Sequence, residues 1–167
     1  MDNSYLALAD GRRRVDETYS SYHRRVAIEA PSLLNGELHN FLTATPPRYA
    51  TIATINPDGS PHQIVIWFLL RGEEIVVNSR RGRRWPSNLG RDKRANLCVY
   101  EAEDAVTLDL VLDRVYEGPD AQADIAEMAG RYDSPEVAQS EIARFQTEQR
   151  ISFALRPTRV HVHGDPR

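Results

Sequence analysis

Residues 49–79 read "YATIATINPDGSPHQIVIWFLLRGEEIVVNS", and the fold turns on how many strands they hold. Alternation of period two begins at Tyr49, as a half-buried strand requires. Asn56-Pro57-Asp58-Gly59 is a strong turn signal, because Pro presets the first corner and Gly accepts a positive φ. The chain returns as "HQIVIWFLL", turns again at "RGEE", and leaves as "IVVNS". Three strands joined by short turns predict an antiparallel meander. The middle one is apolar at nearly every residue from Ile64 to Leu70. Both of its faces are expected to be covered, as in a closed barrel or at a dimer interface.

Working outward, "PSLLNGELHNFLTAT" precedes the strands and places Leu33, Leu34, Leu38, Phe41 and Leu42 at helical spacing, with Pro31 in the first turn. After them come "ANLCVYE" and "AVTLDLVLDRVYEG", two more strands, and then two helices, "DAQADIAEMAGRY" and "SPEVAQSEIARFQTEQR". Ser134 is the expected N-cap of the second helix, with Pro135 at its first position and Glu136 in its first turn. Val137, Ala138, Ile142 and Phe145 are its expected apolar stripe. "ISFALRPTRVHVHG" closes the chain as a strand whose Pro157 should interrupt pairing or lie at an edge. Hairpins rather than crossover helices argue against a Rossmann-type fold, and neither a GxGxxG nor a P-loop occurs. The expectation is mainly β: an antiparallel barrel of six strands with helices at its ends. Residues 1–30 are read as an N-terminal extension and 31–167 as the barrel domain.

The 167 residues suit one domain and a core needing neither disulfide nor metal. Apolar content of 41%, charged content of 27% and a net charge of -3 fit a globular protein and exclude a general polyanion binder. Any anion site must be local. The single cysteine, Cys98, permits no internal disulfide and reads as a small buried hydrophobe. No apolar run is long enough for a membrane span, and the first residues lack a signal-peptide core. A cytoplasmic protein with no nucleic-acid or membrane partner is the expectation.

One stretch concentrates positive charge against that background: "NSRRGRRWPSNLGRDKR", residues 78–94. Gly82 permits a tight turn, and Pro86 is expected as the first residue of a short helix. A helix start and arginine forks both suit a phosphate. Ser79 and Ser87 offer hydroxyls, and Trp85 offers a flat face beside the charge. The alternative is a solvated turn whose arginines pair with nearby Asp or Glu, with Trp85 as a core anchor. His161 and His163 share a face of the last strand, but no third ligand stands at a supporting spacing, so no metal site is expected. No Ser-His-Asp or Cys-His arrangement is readable. No catalytic residue is therefore assigned.

"YATIATINPDGSPHQIVIWF", "EEIVVNSRRGRRWPSNLGRDKRANLCV" and "FALRPTRVHVHG" together resemble the pyridoxamine 5'-phosphate oxidase-like split β-barrel superfamily. Within it the chain is most similar to the flavin/deazaflavin oxidoreductase branch, which includes enzymes dependent on coenzyme F(420). The resemblance spans about residues 30–164. It implies a six-stranded antiparallel, FMN-binding-like split barrel, a homodimer with cofactor sites between subunits, and a small-molecule substrate. The implied cofactor is coenzyme F(420), with FMN as the alternative, and the implied activity is hydride transfer. The alternatives in function are an FMN-binding pyridoxamine 5'-phosphate oxidase-like protein and a non-catalytic flavin- or ligand-binding module. By position, Arg83 and Arg84 would bind phosphate with Ser79 in support. Gln63, Ile64, Val65 and Ile66 would line the ring, with Trp67 at the end of that segment. Members of the branch often carry Lys where this chain has Trp85, followed here by Pro86 and Ser87. Phosphate binding would then rest on the arginines and the helix start.

Overall fold

The computed structural model describes residues 32–34 and 36–166. The expectations for residues 1–30 and for Pro31 lie outside the described residues. Helix α1 (Gly36–Thr43) is followed by β1 (Ala50–Ile55), β2 (Pro61–Ile66), β3 (Phe68–Arg71), β4 (Glu74–Arg80), α2 (Arg84–Arg91), β5 (Arg94–Glu101), β6 (Asp104–Glu117), α3 (Pro119–Tyr132), α4 (Pro135–Phe145) and β7 (Arg150–His163). All pairings are antiparallel, in the order β2-β1-β5-β6-β7-β4-β3.

This order corrects the meander and the strand count. The sheet has seven strands rather than six, because the middle run breaks at Trp67. β2 pairs with β1 at one end of the sheet, and β3 pairs with β4 at the other. The two edge strands are separated by one residue of chain. The sheet must therefore curl until its edges nearly meet, which is the split β-barrel. The Asn56–Gly59 turn forms as its sequence dictates: the Gly59 amide donates to the Asn56 carbonyl at 2.9 Å, and Gly59 has φ +85°. Asp58 accepts from the Ser60 amide at 3.0 Å and from its hydroxyl at 2.6 Å.

The barrel interior holds Ile52, Phe68, Ile75, Val77, Leu97, Val99, Val106, Leu108, Phe153 and Leu155, closed by Leu38, Phe41 and Leu42 of α1. Leu33, from the predicted stripe, is exposed instead. A second core forms on the outer face of β3 and β4. There Leu69 and Val76 meet Ile125, Met128 and Ala129 of α3 and Ala138 and Phe145 of α4. This explains the unbroken apolar run at residues 64–70. Its β3 half is buried on both faces, by the barrel and by two helices, whereas β2 alternates and exposes Val65.

Pro157 lies beyond the last β4–β7 pair, at Leu155, and opposite a register shift in β6. It costs the ladder no hydrogen bond to β4. In α4, the Ser134 side chain caps the helix by accepting from the Val137 amide. Ala138 and Phe145 are buried and Ile142 packs against them, but Val137 is half exposed, so it leaves the predicted stripe. Ser134→Ala is expected to lower stability by about 1 kcal/mol, measured by urea unfolding, with no change in the denaturant slope.

Tyr116, near the end of β6, gives a pH-dependent signature. Burial, then the neighbouring Asp124 carboxylate, pushes its hydroxyl up from 10.0 to about 12. A raised acid pKa favours the protonated folded state. Its contribution is complete below the unfolded pKa and is lost as pH rises from about 10 to about 12. Unfolding titrations across that interval should show a shallower loss of stability in Tyr116→Phe than in the parent protein.

Candidate functional site: the cavity at the strand break

The break at Trp67 is pinned by aromatic groups. The Trp67 ring stacks on Tyr132 at 5.4 Å between centroids and meets Phe145 edge-on at 6.4 Å. Tyr49 lies 5.3 Å from Tyr132. The Tyr132 hydroxyl donates to the Arg48 carbonyl at 3.0 Å and accepts from the Phe68 amide at 3.3 Å. Burial raises its pKa, which keeps the hydroxyl a donor. The last residue of α3 thus fastens the entry to β1 to the start of β3.

A cavity of 270 Å³ opens beside this break. Its walls are Ile64, Val65 and Ile66 from β2, Tyr49 and Trp67 from the residues beside the strands, Arg83 and Trp85 from the loop and α2, and Ile125, Met128, Glu141, Arg144 and Phe145 from the helices, with Asn78 and Arg150 completing it. Six residues singled out from sequence therefore come together here: Ile64, Val65, Ile66, Trp67, Arg83 and Trp85. Three do not. Gln63 is exposed on β2, outside this wall. Ser79 is fully buried and its hydroxyl donates to the Arg80 carbonyl at 3.3 Å. Arg84 faces the other side of α2, in a separate depression with Asn56, Pro57, Asp58, Ser87, Asn88 and Arg91. Asp58 is held below the usual carboxylate range chiefly by Ser60, with a further contribution from Arg84.

The helix start also differs in detail. α2 begins at Arg84, with Arg83 as an N-cap residue making no side-chain cap, so Pro86 is third rather than first. It still lies among the positions whose amides have no intrahelical partner, so the missing N–H costs nothing. Gly82, at φ +88°, makes the turn that precedes it. Trp85 is only 2% exposed and packs 5.4 Å from Phe153. It is a core anchor that reaches the cavity wall rather than an open stacking platform. Its indole N–H has no hydrogen-bond partner among the described residues. Asn88 ties α2 to the β1–β2 hairpin, donating to the Asn56 side chain at 2.9 Å and the Thr54 hydroxyl at 3.3 Å.

Charge in the arginine loop is divided. Arg81 forms an ion pair with Glu117, as the solvated-turn alternative required. The guanidiniums of Arg80, Arg83 and Arg84 make no hydrogen bond among the described residues, and of these Arg83 lines the cavity. Sequence reading missed Asn78, Glu141, Arg144, Phe145 and Arg150. Phe145 lies between two guanidiniums, with Arg144 at 4.6 Å and Arg150 at 4.7 Å from its ring. A basic residue at each end of the "RFQTEQR" segment, Arg144 and Arg150, was the only signal available.

His161 Nε2 lies 3.5 Å from Asp109, on the central strands β7 and β6, and neither residue lines the cavity. Among the described residues, no group of three His, Cys, Asp or Glu side chains is placed to hold a metal ion. No helix among them is long and apolar enough to cross a membrane.

Comparison with curated proteins finds no match. Among solved structures, the chain is similar to an F(420) reductase at 20% identity and a TM-score of 0.58, covering 73% of this chain and 94% of that one. It is similar to a pyridoxamine 5'-phosphate oxidase-related, FMN-binding protein from Nostoc punctiforme at 18% identity and a TM-score of 0.57, covering 82% and 87%. A heme storage protein from Vibrio cholerae matches at 20% identity and a TM-score of 0.58, covering 79% and 96%. At these identities the likeness establishes the fold. The family profile described as pyridoxamine 5'-phosphate oxidase matches residues 34–161, most of the chain, and the protein belongs to that family.

Proposed function

We propose that the protein is an oxidoreductase that binds coenzyme F(420) and passes a hydride between it and a small organic substrate. One observation carries this reading: the cavity joins an apolar strand wall, Ile64–Trp67, to a guanidinium, Arg83, that is unpaired among the described residues. A flat heteroaromatic ring bearing a phosphate needs that pairing of surfaces. The similarity to an F(420) reductase supports it.

The bound deazaflavin would supply the hydride chemistry. The chain's own residues would position and shield it. Ile64, Val65 and Ile66 would contact the ring, while Trp67, held by Tyr132 and Phe145, fixes the end of that wall. Arg83 would neutralise the phosphate. Met128, Ile125 and Phe145 would exclude water from the ring's neighbourhood. No side chain need act as acid or base, because the proton can come from solvent.

At 270 Å³ the cavity is smaller than a complete flavin nucleotide requires. A second copy of the chain would supply the remaining wall. Tyr49 and Val65, both exposed and both at the cavity, are the surfaces it would cover. FMN is the second reading, favoured by the similarity to an FMN-binding protein and by Trp85 standing in place of a basic residue. Titration of cofactor-free protein with F(420) and with FMN separates the two. Saturable F(420) binding, with oxidation of the reduced form by an acceptor, is expected. Binding without turnover under any acceptor would make the protein a carrier, and preference for FMN would reassign the cofactor.

A further inference from the structure

Arg150 begins β7, yet its side chain is only 4% exposed while lining the cavity. Burying a guanidinium costs free energy unless its donors are spent. Here they are spent in part. Nε donates to the Asn78 side-chain oxygen at 2.8 Å, and Nη1 donates to Glu148 at 2.6 Å. Nη2 makes no hydrogen bond among the described residues. The head is fixed in direction as well as place. Asn78 is held by its own donations to the Ala121 carbonyl at 2.8 Å and the Ser152 hydroxyl at 2.9 Å, and the guanidinium lies over Phe145.

The surrounding charge is not balanced. Arg83, Arg144 and Arg150 line the cavity, against Glu141 within it and Glu148 behind it. Arg144 draws on both carboxylates, bonding Glu141 and reaching Glu148 at 3.3 Å. Glu148 is thus divided between Arg144 and Arg150, and Arg83 has no acidic partner among the described residues. Burial lowers the Arg150 pKa from its ordinary value, and repulsion from Arg83 adds to that effect, which Glu148 opposes. Two cations facing one cavity with one donor edge unspent describe a site arranged for an anion.

We infer that Arg150 is the orienting anion-binding residue of this cavity, and that with Arg83 it grips a single phosphate group of the bound molecule. The identity of the phosphate carrier rests on the proposed function; the anion site itself does not. Arg84, on the far side of α2, takes no part.

The test compares ligands with and without the phosphate: FMN against riboflavin, and F(420) against its phosphate-free chromophore. Each is titrated into the parent protein, Arg150→Lys and Arg150→Gln. The parent should bind the phosphorylated member at least about tenfold more tightly. Arg150→Gln should erase that gap, read as the ratio of the two affinities within the variant. Arg150→Lys should keep part of the gap, since it keeps charge but loses the fork. Parallel loss of both ligands, or an intact gap in Arg150→Gln, would overturn the inference. A second arm uses inorganic phosphate alone and reads the melting temperature. A phosphate-dependent rise that vanishes in Arg150→Gln upholds the anion site even if no flavin binds, in which case the cofactor reading falls alone. A rise that survives in Arg150→Gln overturns the inference and leaves the cofactor reading standing.

Discussion

Trp85→Ala should cost about 3–5 kcal/mol of stability, the range for truncating a buried aromatic residue whose site cannot collapse. The indole is 2% exposed, packs against Phe153 and joins the barrel core with Leu89. Its loss would also release the first turn of α2, whose N-cap Arg83 has no side-chain cap to hold it. Trp85→Phe should behave differently. The indole N–H is buried without a partner among the described residues, so removing it relieves a desolvation penalty while vacating little volume. A change within about 1 kcal/mol of the parent is expected for Phe. Urea unfolding of the two variants checks the pair. Equal losses would mean that the N–H is satisfied in solution.

Arg83→Ala should leave stability nearly unchanged and weaken binding of the phosphorylated cofactor by about 1.5–3 kcal/mol, the scale of a charged hydrogen bond. That is roughly 10- to 150-fold in Kd. The guanidinium is exposed and makes no hydrogen bond among the described residues, so folding does not depend on it. Arg81→Ala is the control. It carries a similar charge two residues away but is paired with Glu117, outside the cavity. Its removal should barely change affinity. Calorimetric titration of the two variants distinguishes a directed phosphate contact from a general loss of positive charge, which would weaken both alike.

The local elements were legible because their causes are local. Pro57 and Gly59 make the first hairpin by backbone preference, and Ser134, Pro135 and Glu136 start α4 by capping. The resemblance carried the barrel. The division at Trp67 was not legible from period or propensity, since an apolar run looks the same whether one strand continues or two edge strands meet. What decides it is pairing: Ile66 lies opposite Ala50, and Phe68 lies opposite Val77. The same limit governs the site. Arg83 stood out because four arginines surround Gly82. Arg150 did not, because its partner Asn78 lies 72 residues away and only β4–β7 pairing brings them together. Arg84 was indistinguishable from Arg83 in sequence, but as the first residue of α2 it is turned away from the cavity into a separate depression. Val137 shows the reverse error, a residue at the right period that the helix leaves half exposed.

The most direct test of the central claim is a crystal structure of the protein with F(420) or FMN, whichever binds more tightly. The ring is expected against Ile64–Trp67 and the phosphate at Arg83, with Tyr49 and Val65 covered by ligand or by a second copy of the chain. A ligand seated on the other face of α2, among Arg84, Arg91 and the Asn56–Asp58 turn, would contradict it.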